Sequence, residues 1–327
     1  MTRVLILGGG GMVGQKLAKR LQSEGLGQDA SPDITLFDMA FPPDGVTGVT
    51  KKTGNITDQA TIGALAAARF DVIFHLAAIV SGEAETNFEK GWAVNMMSMW
   101  HLLEALRAEH DASGRQWMPR LVFTSSIAVF GAPFPEKIGD EFLNAPQTSY
   151  GAQKAICELM VTDFSRKGYI DGLSLRLPTI CVRPGKPNLA ASSFFSGIIR
   201  EPLNGVEAIL PVPDTVRHWH ASPRSAAGFL THAATLDTDR LEGRRALSLP
   251  GISCTVAEQI EALRRAAGQK TVDLIRSAPD PAIMKIVAGW PRNFDPQRAI
   301  GLGFQAESSF DEIIDVYIKE DLPKATA

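Results

Sequence analysis

The chain of 327 residues predicts an α/β protein, with a doubly wound parallel sheet followed by a smaller C-terminal lobe. Short apolar segments alternate with helix-like segments through the first 180 residues, and the apolar segments contain no regular polar alternation. Strands of that kind are buried on both faces, as in a parallel sheet covered by helices. Right-handed crossover connections then make the sheet doubly wound.

The predicted elements of this first part are five strands and four helices. The strands are expected at residues 3–7, 33–38, 71–76, 120–125 and 172–177. The helices are expected at residues 12–25, 60–69, 92–110 and 150–167. Lys51 and Lys52 are predicted to form a solvated surface turn.

The alternation stops after Pro178, and the composition changes there. Residues 182–213 are rich in Pro, Gly, Ser and Asn, so we expect them to form loops of a second lobe. The sequence therefore predicts a first domain over residues 1–178, with a return segment near 217–236, and a lobe over residues 179–327.

Two capping signals predict helices within that lobe. Thr255 followed by Glu258 forms a capping box, and Gly268 is suited to end the helix that it starts. Ser309 and Glu312 repeat the signal for a last helix that runs to about residue 318.

Charge and hydropathy exclude several classes of partner. The chain has 33 basic and 36 acidic residues, a balance that argues against nucleic-acid binding. The longest apolar run, residues 72–80, contains His75 and is too short to span a membrane. The first residues lack the features of a secretory signal. We therefore expect a cytoplasmic protein that binds neither nucleic acid nor membranes.

Cysteines and histidines give no sign of a metal site. Cys157, Cys181 and Cys254 are odd in number and widely spaced, which argues against a disulfide framework or a zinc knuckle. His218 and His220 would share one face of a strand, but no third ligand accompanies them. We expect no metal, and a polar role in a substrate pocket for one of these histidines.

A glycine-rich loop joins the first strand to the first helix. Gly8, Gly11 and Gly14 fit the pattern GxxGxxG, with Met12 and Val13 between the last two. The first two glycines permit a tight turn and the close approach of a pyrophosphate, while Gly14 lets the helix pack on the sheet. Free N–H groups at the helix start favour phosphate binding. The loop predicts a dinucleotide site of the Rossmann type, the alternative being a turn that binds nothing.

An acidic residue at the end of the second strand indicates which dinucleotide is bound. Asp38 is placed to bind the hydroxyls of the adenosine ribose. A carboxylate at this position repels a 2′-phosphate, so NAD is predicted in preference to NADP.

A tyrosine and a lysine on one helix predict proton-transfer chemistry. Tyr150 and Lys154 are four residues apart, so they lie on the same helix face. Lowering a phenol pKa from near 10 to about 7 takes roughly 4 kcal/mol of anion stabilisation, which nearby positive charge can supply. Ser126 ends the fourth strand, and ligands bind at the carboxyl ends of such strands. Ser126 and Tyr150 are expected to meet over the nicotinamide; a surface pair is the alternative.

Together these motifs identify the chain as a member of the extended short-chain dehydrogenase/reductase family, also called the NAD-dependent epimerase/dehydratase family. The resemblance rests on the glycine loop, Asp38, residues 54–58, His75-Leu76-Ala77-Ala78, Asn95, Ser125-Ser126, Tyr150, Lys154 and Arg176. Two departures are Phe130, where many members have tyrosine, and Asn55, where many have aspartate. Neither departure removes a catalytic group.

The resemblance implies roles for individual residues. Tyr150 would be the general base or acid, Ser126 would hydrogen-bond the reacting hydroxyl, and Lys154 would bind the nicotinamide ribose and lower the Tyr150 pKa. The implied NAD-binding set is Gly8, Gly11, Met12, Val13, Gly14, Asp38, Asn55, Ile56, Leu76, Ala77, Ala78, Asn95, Tyr150, Lys154, Leu177 and Thr179. The family also implies a homodimer formed through the helix near 92–110 and the Tyr150 helix.

The segment after the fifth strand indicates the class of substrate. Sugar-nucleotide members often have asparagine and tyrosine where this chain has Thr179 and Cys181. Arg183 adds charge close to the expected nicotinamide end, and Arg217 lies where such enzymes contact substrate. Arginine binds carboxylates through two parallel hydrogen bonds, although a structural ion pair is the alternative for each. The predicted substrate-binding residues are Ser81, Ser126, Tyr150, Arg183 and Arg217.

The resemblance therefore implies an NAD-dependent dehydrogenase that oxidises the 2-hydroxyl of a small, four-carbon sugar acid. Two alternatives are a sugar-nucleotide epimerase or dehydratase and an enzyme like L-threonine dehydrogenase. A more remote alternative is a non-catalytic NAD-sensing regulator, but such proteins commonly lose the tyrosine or the lysine that this chain keeps.

Overall fold

A computed structural model describes residues 1–185 and 191–322 of the chain. The strands are β1 Arg3–Leu7, β2 Asp33–Asp38, β3 Thr50–Thr53, β4 Val72–His75, β5 Arg120–Ser126, β6 Ile138–Gly139, β7 Asp171–Leu177, β8 Thr179–Ile180, β9 Ala208–Leu210, β10 Arg217–Ala221, β11 Ala246–Ser248, β12 Ile252–Thr255, β13 Ile275–Ser277 and β14 Phe294–Asp295. The α-helices are α1 Met12–Glu24, α2 Gln59–Ala67, α3 Ser81–Thr86, α4 Phe88–Trp92, α5 Ser98–Ala112, α6 Ser149–Arg166, α7 Ser193–Leu203, α8 Pro223–Thr235, α9 Val256–Ala267, α10 Gln269–Val272, α11 Pro281–Ala288, α12 Gln297–Gly301 and α13 Phe310–Glu320.

Seven parallel strands form the main sheet, in the order β11-β7-β5-β4-β1-β2-β3. From β1 the chain first adds β2 and β3 toward one edge of the sheet. It then adds β4, β5, β7 and β11 toward the other edge. The strand order therefore reverses between β1 and β4, and ligands of doubly wound sheets bind at the carboxyl ends of such strands.

The two faces of the sheet bury two separate cores. Val4 and Ile6 of β1 pack toward α1 and α8, whereas Leu5 and Leu7 pack toward α2, α5 and α6. All four side chains are fully buried, as expected of a strand covered on both faces. The predicted doubly wound α/β fold is confirmed.

Two strands of the main sheet were not predicted from the sequence. The prediction of a surface turn at Lys51 and Lys52 is wrong, because both residues lie in β3, which pairs in parallel with β2. All four residues of β3 are exposed, so its sequence lacks the apolar run that marks a buried strand. The other strand, β11, has only three residues and joins the sheet beside β7.

The C-terminal lobe combines two small sheets with helices around a core of its own. The sheets are β12-β10-β8 and β13-β9. The prediction of loops over 182–213 is wrong where α7 and β9 form; residues 186–190 lie outside the described part. In α7, Phe194, Phe195, Ile198 and Ile199 are all buried at helical spacing, and this apolar face outweighs the surrounding Pro and Gly.

Both predicted helix starts in the lobe are present. Thr255 and Glu258 form the reciprocal capping box at the start of α9. Ser309 caps α13 by accepting from the Glu312 N–H, but the Glu312 carboxylate bonds Ser308 instead of completing the box. Within the described helices, none has both the length and the apolar character needed to cross a bilayer.

The domain division at residue 178 stays a prediction. Two elements beyond that point, α8 and β11, belong to the layers of the main sheet: α8 packs on α1, and β11 extends the sheet.

A buried ion pair fastens α6 to the carboxyl ends of two strands. The Glu158 carboxylate accepts hydrogen bonds from Ser125 Oγ at 2.6 Å, Arg176 Nε at 2.9 Å, Arg176 Nη2 at 2.8 Å and Asn144 Nδ2 at 3.0 Å. Ser125 and Arg176 are direct neighbours in the register of β5 and β7. The Glu158 side chain is only 3% exposed, so this network holds the helix in the absence of competing water.

Replacement of Glu158 by alanine is expected to lower the free energy of unfolding by about 3–5 kcal/mol, because Arg176 would stay buried without its partner. Asp163→Ala is the matched control: it lies on the same helix and removes the exposed ion pair with Arg166, at a cost of about 0–1 kcal/mol. Urea denaturation of both variants measures the difference. Equal losses in the two variants would contradict a buried clamp at Glu158.

Candidate active site

The glycine loop lies against the residues that follow β4, and Gly8 and Gly14 leave no room for a side chain. Gly8 has a φ of +88°, and a Cβ added there would lie 2.7 Å from the Ala77 nitrogen. A Cβ on Gly14 would collide with the Gly8 carbonyl oxygen. Helix α1 starts at Met12, and no side chain caps its N-terminus at Gly11. The N–H groups of its first turn are therefore available to an anion, which fits the pyrophosphate of a dinucleotide.

Asp38 lies beside this loop at the end of β2. Its Oδ2 accepts from the Gly10 N–H at 2.9 Å, and its Oδ1 accepts from the Met39 N–H at 2.7 Å. A carboxylate has about four lone-pair sites, so both oxygens keep capacity for further donors such as ribose hydroxyls.

Three other residues of the predicted NAD-binding set are held by hydrogen bonds or by packing within the protein. Asn55 Oδ1 accepts from the Thr57 N–H at 3.0 Å, and Ile56 is buried. Asn95 is 1% exposed and uses its whole amide: Oδ1 accepts from the Ile79 N–H at 2.8 Å, and Nδ2 donates to Gln153 Oε1 at 2.8 Å. Asn95 therefore fixes the backbone that follows Ala78, and it does not line the cavity beside Tyr150.

A cavity of about 280 Å³ opens at the carboxyl ends of β4, β5 and β7. It brings together the predicted residues Val13, Leu76, Ala78, Ser81, Ser126, Tyr150, Lys154, Leu177, Thr179 and Arg183. Sequence reasoning missed Ser192 and Trp290 in its wall. They come from the lobe, far from the motifs along the chain, and no local pattern marks them.

Tyr150, Lys154 and Ser126 meet in this cavity because α6 packs on the end of β5. Lys154 Nζ donates to the Thr124 carbonyl oxygen at 2.8 Å and lies 5.6 Å from the centroid of the Tyr150 ring. Ser126 Oγ accepts from the Ala128 N–H at 3.1 Å. The N-terminus of α6 is capped by Thr148, which fixes the turn that carries Tyr150.

Burial has opposite effects on the two titratable groups. It raises the pKa of Tyr150 to about 12, although the positive charge of Arg183 and a hydrogen bond from Ser126 act to lower it. Burial lowers the pKa of Lys154 to about 8, against the attraction of Cys157 and Glu158. Lys154 is thus an ammonium ion below pH 8. Arg183, on the cavity wall, favours the Tyr150 phenolate through its positive charge.

The two predicted substrate arginines lie in different places. Arg183 is held at the cavity wall, where its Nε donates to the Ile180 carbonyl oxygen at 2.9 Å and its Nη2 to Ser192 Oγ at 3.3 Å. Arg217 does not reach the cavity: its guanidinium donates to the Ser253 carbonyl oxygen at 2.9 Å and pairs with Glu258 at 3.2 Å. The structure therefore gives no support to the expectation that Arg217 contacts substrate, which stays a prediction.

The described lining of the cavity carries positive charge and no negative charge. Lys154 and Arg183 line it, and its described lining contains no Asp or Glu. Within residues 1–185 and 191–322, no group of three His, Cys, Asp or Glu side chains is arranged to hold a metal ion. This arrangement favours an anion next to a phenol and a serine hydroxyl.

Comparison with known proteins gives a consistent picture. Residues 4–220 match the NAD dependent epimerase/dehydratase family. The chain is 44% identical to D-erythronate dehydrogenase of Cupriavidus necator, over 97% of this chain and 98% of the relative. It is 39% identical to D-erythronate dehydrogenase of Haemophilus influenzae, over 98% of this chain and all of the relative.

A solved structure described as a nucleoside-diphosphate-sugar epimerase from Agrobacterium tumefaciens has a TM-score of 0.93 and 53% identity, covering 98% of this chain and 94% of its own. L-Threonine dehydrogenase from Clostridium difficile, at 21% identity, has a TM-score of 0.83 and covers 99% of each chain, which shows the shared fold. The family match spans most of the chain, from the glycine loop to β10, and NAD is the family's cofactor. The chain belongs to the NAD dependent epimerase/dehydratase family.

Proposed function

We propose that the protein is an NAD-dependent dehydrogenase that oxidises the 2-hydroxyl of D-erythronate to give 2-oxo-D-erythronate. The observation that carries this proposal is the cavity beside Tyr150, with two cations and no acidic residue in its described wall. Such a wall suits a small carboxylic acid. Two relatives that align over nearly their whole length carry this activity in their names.

The proton of the substrate hydroxyl passes to Tyr150 in this proposal. Ser126 hydrogen-bonds the hydroxyl and aligns it with the phenol oxygen. Bound NAD supplies the acceptor for the hydride that leaves C2. Positive charge lowers the pKa of a phenol, so Arg183 and Lys154 both favour the phenolate that takes the proton.

The cofactor is held at the opposite end of the site by the glycine loop. We assign the pyrophosphate to Gly8, Gly11 and Gly14 with the start of α1, and the adenosine ribose to Asp38. Lys154 binds the nicotinamide ribose in this assignment.

Arg183 is assigned to the substrate carboxylate. The contacts to Ile180 and Ser192 fix its orientation in advance, which reduces the entropy lost on binding. The same wall disfavours L-threonine, because a substrate ammonium group would face Arg183 and Lys154 and find no carboxylate among the described lining residues.

A sugar-nucleotide epimerase is the second candidate, favoured by the description of the structure that is 53% identical to this chain. An epimerase returns the hydride to its substrate, so it would convert a UDP-sugar without net formation of NADH.

We also propose a cytoplasmic homodimer that works in carbohydrate metabolism. Helices α5 and α6 leave Trp100 40% exposed and Leu159 69% exposed, and Met97 lies just before α5 with 39% exposure. A second copy packed on this face would remove that apolar surface from water.

Oxidation of D-erythronate is tested by absorbance of NADH, with threonine and UDP-glucose as comparison substrates. Tyr150→Phe is expected to lower kcat by about 10²–10⁴-fold, because the proton acceptor is lost. Fluorescence titration with NADH is the control that the variant still binds cofactor. Full turnover by this variant would contradict the assignment of Tyr150 as the proton acceptor. Interconversion of a UDP-sugar, with no NADH formed from any acid, would favour the epimerase.

Arg183→Met is expected to lower kcat/KM for D-erythronate by roughly 10–150-fold, the effect of one lost hydrogen bond to a charged group. The rate is expected to rise with pH as Tyr150 ionises. This rise should move to higher pH in the variant, since Arg183 lowers the pKa of Tyr150. Arg217→Met is the matched control and should stay within about threefold of the parent protein, because surface ion pairs contribute little. Similar losses in the two variants would refute the assignment of the carboxylate to Arg183.

The double variant Trp100→Glu and Leu159→Glu is expected to be monomeric, because it places charge in the proposed dimer face. Light scattering after size-exclusion chromatography measures the mass. Leu143→Glu serves as the control, since Leu143 is 80% exposed and lies outside α5 and α6. A parent protein that is already monomeric would overturn the dimer proposal.

A further inference from the structure

A histidine from the lobe faces the same cavity as Tyr150. His218 lies on β10 and is 2% exposed, and its ring lines the cavity. Its Nε2 lies 2.7 Å from Thr179 Oγ1 on the neighbouring parallel strand β8. Both residues belong to the three-stranded sheet of the lobe, and both line the cavity.

Packing fixes the orientation of the His218 ring. Phe195 stacks on it at 5.1 Å between ring centroids, with the planes 2° apart. Trp290 covers it at 5.2 Å, and His220 meets it edge-on at 5.3 Å. Polar groups held by packing in this way act as preorganised recognition elements.

The His218 ring is uncharged. Burial and the positive charge of Arg183 lower its pKa to about 3, with only the Pro291 backbone acting to raise it. His220, behind it, also has its pKa lowered by burial. A neutral imidazole offers one donor and one acceptor, and a threonine hydroxyl offers both as well. Such a pair suits a hydroxyl group, whereas carboxylates and ammonium ions prefer charged partners.

Three of the polar residues that line the cavity have assignments under the proposed function. Ser126 and Tyr150 hold the reacting hydroxyl, and Arg183 holds the carboxylate. Thr179 belongs to the same short segment as Arg183, whose Nε is bound to the Ile180 carbonyl oxygen. This common segment puts the Thr179–His218 pair near the carboxylate end of a short substrate.

We propose that Thr179 and His218 form a specificity pair that hydrogen-bonds the hydroxyl on C3, next to the reacting carbon. The enzyme thereby selects 2,3-dihydroxy acids over simple 2-hydroxy acids. This inference rests on the proposed function and deepens it. It also adds a substrate contact to Thr179, which the family resemblance assigns to the cofactor alone.

The test compares D-erythronate with its 3-deoxy analogue, 2,4-dihydroxybutanoate of the same C2 configuration. The parent protein is expected to prefer D-erythronate by at least about 10-fold in kcat/KM, because a site built around a hydroxyl rejects a substrate that lacks it. His218→Phe keeps a flat ring in the stack but loses both nitrogens. It should reduce the preference to within about threefold, mainly through a higher KM for D-erythronate.

Thr179 supplies an independent pair of variants if His218→Phe does not fold. Thr179→Val keeps the shape and removes the hydroxyl, so it should lose the preference, whereas Thr179→Ser should retain it. Calorimetric titration of both acids into the protein with NADH gives the same comparison without turnover. A merely structural role for the pair would weaken binding of both acids equally.

Two failures are distinguishable in this design. A parent protein that oxidises both acids equally well, or variants that keep the full preference, would overturn the specificity pair and leave the proposed function standing. A parent protein that neither binds nor oxidises either acid would remove the proposed function and this inference together.

Discussion

The contact between α6 and the end of β5 is the constraint on which the site depends. Three consecutive residues, 124, 125 and 126, contact Lys154, Glu158 and Tyr150, respectively. These three partners lie at four-residue spacing on one face of α6. Arg176 braces the middle contact from the neighbouring strand. The geometry of the candidate site is therefore set by the packing of one helix on two strands.

Burial in the cavity disfavours the charged forms of both Tyr150 and Lys154. It makes the Tyr150 phenol harder to ionise and the Lys154 ammonium easier to discharge. Arg183 keeps its charge across the whole accessible pH range, so it counters the first effect without titrating itself.

The sequence was sufficient where short-range chemistry determines structure. The spacing of Gly8 and Gly14, and the capping box at Thr255, depend on a few neighbouring residues, and each prediction agrees with the geometry. It was insufficient where partners come from distant parts of the chain. Nothing near Arg217 reveals that Glu258 occupies its guanidinium, and the exposed residues of β3 have no apolar pattern to mark a strand. Likewise, the polar composition around α7 gave no sign of its apolar face, which is evident only from the packing of the lobe.

The edge strand β3 has a consequence for how copies of the protein meet one another. A parallel sheet that ends in an exposed strand offers free backbone donors and acceptors to any other chain. Here the sequence of that strand is Thr-Lys-Lys-Thr, with all four residues exposed, so an approaching copy meets two ammonium groups. Charge repulsion and the cost of burying lysine disfavour the growth of a continuous sheet across molecules. The two lysines of β3 thus give the open edge of the sheet a charge barrier to fibrillar association.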